Sequence, residues 1–118
     1  MITKGNTLVS ATPGVGMTWL MEDAIEDGAG LSLAKMTIDP RVVSEAHHHP
    51  NCTETIHVLS GSVLQRRGHE WIRLEAGDTV LIAVGAAHLT RNVGSETATM
   101  VVAYSTGSRV YVAETTKL

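Results

Sequence analysis

A chain of 118 residues fits one domain and buries roughly two-thirds of the surface its unfolded form exposes, so a core without disulfide staples is expected, and its single cysteine could form none within the chain. Hydrophobic residues make up 43% of it, but apolar runs such as 79–84 and 100–104 fall far short of the ~20 residues that span a bilayer, so no membrane segment is expected. A net charge of -3, no Phe, two Trp and two Tyr leave neither the basic face nor the stacking platforms that nucleic-acid binding uses.

The opening MITKGNTLVSATPG lacks the charged start and apolar block of a secretory signal. With a lone cysteine this fits a reducing compartment, and a cytoplasmic location is expected. Next, Met17, Trp19 and Met21 alternate at period two, and 19–26 reads either as a short helix or as strand and loop before Asp27-Gly28-Ala29-Gly30. The apolar strip is expected to pack on the core, to cap it, or to meet a second subunit, and a homodimer is the expected assembly.

From residue 31 onward the pattern is that of strands. The runs 31–38, 55–65, 70–74, 79–84, 89–93, 98–104 and 109–113 are short and rich in Val, Ile, Leu and Thr. Turn signals fall at Asp39-Pro40, Ser60-Gly61, Gly68-His69, Gly77-Asp78, Gly85-Ala86, Gly94-Ser95 and Thr106-Gly107. Such spacing predicts an all-β sandwich or small barrel over residues 1–118 as a single domain. In the first run, Ala34, Met36 and Ile38 make the more apolar face and are expected to point inward, leaving Lys35 to solvent.

The stretch AHHHPNCTE, residues 46–54, carries the chemistry. Alternation along an extended strand puts His47 and His49 on one side and His48 on the other. Two imidazoles so placed can grip one metal ion, and the short Pro50–Thr53 turn can return the carboxylate of Glu54 to the same place. Imidazole with carboxylate suits first-row divalent metals, whereas a thiolate site needs more cysteine than this chain has.

Downstream of Glu54, six residues lead to Gly61, and a second group, GDTVLIAVGAAHLTRN, carries Gly77, Gly85, His88 and Asn92. These residues resemble the two motifs of the cupin superfamily. His47, His49, Glu54 and Gly61 match the first motif, about 41–61, and Gly77, Gly85, His88 and Asn92 match the second, about 77–92. Arg41 stands where the first motif opens with glycine, and Ala83 stands where the second has proline. Both substitutions touch backbone geometry rather than metal binding.

The resemblance implies an antiparallel jelly-roll barrel holding one divalent transition metal ion (Mn, Fe, Ni, Co, Cu or Zn) on His47, His49, Glu54 and His88. It implies a metal-dependent enzyme acting on a small oxygenated or enolisable molecule, with dioxygenase-type chemistry favoured. Glu54 is the expected catalytic residue, able to detach and take a substrate proton. A lyase, decarboxylase or isomerase using the metal as Lewis acid is the first alternative, and a small-molecule sensing module without turnover the second. His48, His57 and His69 are expected outside the ligand set. Thr90, by alternation from His88, is expected to line the interior with Asn92, and Tyr104 and Cys52 are further candidates for an acid or base.

Overall fold

The computed structural model describes residues 8–114. It contains eleven strands and, among the described residues, no helix: β1 (Leu8–Thr12), β2 (Val15–Met21), β3 (Ser32–Ile38), β4 (His47–His48), β5 (Glu54–Ser60), β6 (Ser62–Arg67), β7 (Glu70–Glu75), β8 (Thr79–Ile82), β9 (His88–Asn92), β10 (Ala98–Tyr104) and β11 (Val112–Ala113). They form two antiparallel sheets, in the order β1-β2-β3-β10-β5-β8 and β11-β4-β9-β6-β7. The expected all-β jelly roll is therefore observed.

The two sheets bury a common core because each strand alternates. In β3 and β10 every second residue is buried, with Ala34, Met36 and Ile38 in register with Val102, Met100 and Ala98 respectively. Val63 and Leu74 of the smaller sheet join Ile56, Val58 and Ile82 of the larger in the same cluster. Lys35 is exposed, as its parity requires. Met17 and Trp19 pack against this core, which takes up the strip that was one reason to expect a second subunit. The segment left open between helix and strand resolves as strand to Met21 followed by turns at 23–28.

Two backbone positions explain how the motifs are held. Gly61 has φ 93° between β5 and β6, and a Cβ there would lie 2.8 Å from Ala98 Cα, so neither the turn nor the approach of β10 tolerates a side chain. Arg41 is the one non-glycine with positive φ among the described residues, at 67°. The position at which the first motif opens with glycine thus keeps its left-handed conformation in this chain, with an arginine bearing the strain.

After β10 the chain turns back over one end of the sandwich. Asp23 N donates to Gly107 O (2.8 Å), and Ser108 Oγ donates to Asp23 Oδ2 (2.8 Å). Asn51 then clamps the segment from the other side, donating from Nδ2 to Ser108 O (3.0 Å) and accepting from Val110 N (2.9 Å) at Oδ1. The run 109–113, expected as a strand, is consequently strand only over Val112–Ala113, since the residues before it bond to Asn51 instead of a neighbouring ladder.

Candidate metal site

Three histidines stand on or beside the smaller sheet and a glutamate on the larger. His47 in β4 lies in register with His88 at the start of β9, and His49 follows β4 by one residue. Glu54 opens β5 and lies in register with Tyr104. All four turn into the sandwich, where one ligand atom from each lies within 4.8 Å of every other, a group that could hold a metal ion. His49, Glu54 and His88 are at most 4% exposed.

The hydrogen bonds assign the tautomers. Nδ1 of His47 faces Glu45 O at 2.7 Å, Nδ1 of His49 faces Val110 O at 2.9 Å, and Nδ1 of His88 faces Ala86 O at 2.9 Å. A carbonyl oxygen only accepts, so each Nδ1 carries the proton and each Nε2 is left to face the centre. His49 Nε2 is buried and lies 3.0 Å from Glu54 Oε1, yet it has no hydrogen-bond partner among the described residues. His88 Nε2 also lies 3.0 Å from Glu54 Oε1. Nitrogen lone pairs aimed at a carboxylate repel it unless a cation stands between them. A divalent ion satisfies all four groups at once, and the donor set fits one.

The electrostatics agree. Burial, followed by the nearby His88, lowers His47 from its ordinary value to about 4, which keeps its lone pair free at neutral pH. Burial pushes the carboxyl of Glu54 up, but the His49 and His88 imidazoles against it outweigh this and hold it at about 2. Burial lowers His88, yet the Glu54 carboxylate beside it leaves its pKa raised overall, so the site favours a positive charge, proton or metal ion, between the two.

The cluster borders a cavity of about 80 Å³. Met17 and Met36 supply apolar wall, Thr90 and Tyr104 flank the cluster, and Arg109 and Tyr111 come from the returning C-terminal segment. Thr90 Oγ1 donates to the fully buried Gln65 Oε1 at 2.5 Å, so its expected inward placement holds. Tyr104 packs edge-on against His49 with ring centroids 5.2 Å apart, and Tyr111 stacks on His47 at 4.4 Å while its hydroxyl donates to Glu45 Oε1.

The remaining histidines lie elsewhere. His48 Nδ1 meets Glu114 Oε1 at 2.6 Å, His57 Nδ1 meets Thr79 Oγ1 at 2.7 Å, and His69 is exposed in the β6–β7 turn. Cys52 is 2% exposed in the core, and burial raises its thiol pKa. Arg109, Tyr111 and the Val110 carbonyl were not singled out from sequence. A lone arginine in the final apolar run was the one available signal.

Residues 34–104 match the family model for the cupin domain, Cupin_2, and the chain belongs to that family. It is 26% identical over 111 residues to germin-like protein 1 of Brassica napus, covering 90% of this chain and 54% of that protein. It is 32% identical over 81 residues to germin-like protein 3-8 of Oryza sativa subsp. japonica, covering 64% of this chain and 36% of that protein. The chain thus spans about half or less of these relatives. An oxalate oxidase structure superposes with TM-score 0.77 at 30% identity, covering 93% of this chain and 59% of that one. The formate complex of Lactobacillus farciminis oxalate decarboxylase superposes with TM-score 0.83 at 18% identity, covering 92% of this chain and 33% of that one, a likeness of fold.

Proposed function

We propose that the chain is a metal-dependent cupin enzyme that binds one divalent transition metal ion on His47, His49, Glu54 and His88 and degrades a small oxygenated organic acid in a dioxygen-dependent reaction. The observation that carries this is the donor geometry: three imidazoles with Nδ1 committed to backbone carbonyls and one carboxylate, drawn from two sheets to within 4.8 Å of one another. Bound there, the ion supplies a Lewis acid and, if redox-active, an electron-transfer centre for an oxygen-bearing substrate and dioxygen.

The chain's own residues do the rest. Backbone carbonyls of Glu45, Ala86 and Val110 fix the imidazole planes. Met17 and Met36 exclude water from the cavity wall. Glu54 is the proposed acceptor of a proton from a bound acid or enol once it detaches, since the His49 and His88 imidazoles that hold it at about 2 make it a weak base while it faces them. A cavity of about 80 Å³ is small beside the ~150 Å³ that encloses one benzene. Short acids of roughly two to four carbons therefore suit it better than sugars or nucleotides. The 30% identity to an oxalate oxidase, and 28% to an oxalate oxidase solved with glycolate, support oxalate and glycolate as the first substrates to try.

The test is anaerobic purification, elemental analysis, and oxygen-electrode assays against oxalate, glycolate, enols and catechols. Oxygen uptake with one of these supports the proposal. Turnover without uptake replaces it with lyase or isomerase chemistry, and saturable binding without turnover replaces it with a sensing module.

A further inference from the structure

The guanidinium of Arg109 lies 4.7 Å from the centroid of Trp19, 5.3 Å from that of Tyr104 and 5.3 Å from that of Tyr111. No ion pair engages Arg109 among the described residues, and unlike Arg66 and Arg91, which lie over Trp71, it borders the cavity at the histidine cluster. The backbone on either side of it is tied down, with Ser108 held by Asp23 and Val110 bonded through its N–H to Asn51 and through its carbonyl to His49. The cation is thus presented by a fixed segment and flanked by flat rings, an arrangement that leaves its donor edge for a ligand.

Its position matters as much as its freedom. Arg109 borders both the cavity of about 80 Å³ at the histidine cluster and one of about 340 Å³ that Glu22 also lines, so its guanidinium is open to a molecule in the smaller space. Two carboxylates face the smaller cavity, Glu54 and Glu45, the latter exposed and bonded by Tyr111. With a divalent ion on the cluster and Arg109 counted, the site carries net positive charge and attracts an anion.

We infer that Arg109 is the specificity-determining cation of the site: it takes a carboxylate of a short organic acid whose other oxygens reach the histidine cluster, and it disfavours neutral isosteres. The reach toward the cluster rests on the metal-dependent reading above; the carboxylate–guanidinium contact does not.

The experiment is calorimetric binding of oxalate and of its neutral isostere oxamide to wild type and Arg109→Gln, with metal content measured on the same samples. The expected result is a loss of at least ~10-fold in oxalate affinity for Arg109→Gln, unchanged oxamide binding and unchanged metal content, with Arg109→Lys intermediate because it keeps charge without the planar fork. Full oxalate affinity in Arg109→Gln with normal metal content overturns the inference and leaves the metal reading standing. A wild type that takes up no metal, with Arg109→Gln still losing oxalate affinity, overturns the metal reading and supports the inference. If Arg109→Gln does not fold, chelator-treated wild type decides: oxalate bound more tightly than oxamide supports the inference, and equal binding overturns it.

Discussion

Glu54 Oε1 and His88 Nε2 lie 3.0 Å apart although the residues are 34 positions apart in the chain and belong to opposite sheets. The two cupin motifs meet at this contact. One motif places its carboxylate on the larger sheet, the other places its imidazole on the smaller, and the packed core between the sheets sets their separation. The site is therefore a property of the sandwich as a whole.

Removing a ligand should uncouple the site from the fold. His49→Ala and Glu54→Ala are each expected to lower metal affinity by at least ~100-fold, because each deletes one donor from a set of four. Circular dichroism should remain that of a β-protein, and elemental analysis after dialysis reads the loss. Full metal content in either variant would show that the residue is not a ligand.

Asn51 touches none of the four donors, yet it holds the segment whose Val110 carbonyl orients His49. Asn51→Ala should cost about 1–2 kcal/mol of stability for two lost hydrogen bonds and ~10-fold in metal affinity through the loosened imidazole. Thermal melts and metal titrations check the two effects separately.

Gly107 is where Asp23 presses closest: a Cβ there would fall 1.9 Å from Asp23 Oδ1. Gly107→Ala should destabilise by about 1–3 kcal/mol, since either the backbone or the Asp23 side chain must move. In an Asp23→Ala background the same substitution should cost much less. Equal costs in both backgrounds, measured by denaturant unfolding, would contradict the steric account.

The residues that were legible in the sequence are those whose placement follows from short-range rules. Alternation put His47 and His49 on one side and Ala34, Met36 and Ile38 inside, because a strand with one buried face repeats every two residues, and the short turn at 50–53 returned Glu54 to the histidines. His88 was legible only through the spacing of the second motif. β1 and β2 were not recognised as a hairpin, although Pro13-Gly14 turns between them with Gly14 at φ 82°. Arg109, Tyr111 and Val110 were not legible as site residues, because what brings them to the cluster is the approach of residues 107–110 to Asp23 and Asn51, through contacts separated in the chain by 57 positions for Asn51–Ser108, 59 for Asn51–Val110 and 85 for Asp23–Ser108. No periodicity encodes such an approach.

Arg41 offers a test of the motif itself. At φ 67° it occupies a conformation that costs an L-residue ~1 kcal/mol or more and glycine nothing. Arg41→Gly should be neutral or stabilising by up to ~1 kcal/mol in urea unfolding, where exposed residues replaced by glycine ordinarily destabilise. A clear loss of stability would mean that the arginine side chain is worth more than its backbone strain.

The most direct test of the central claim is a crystal structure of the metal-loaded protein with anomalous data collected at the absorption edge of the metal that elemental analysis identifies. The account predicts one strong anomalous peak per chain, within coordinating distance of Nε2 of His47, His49 and His88 and of a Glu54 carboxylate oxygen. A peak elsewhere, or a loaded crystal with no density between these four side chains, would contradict it.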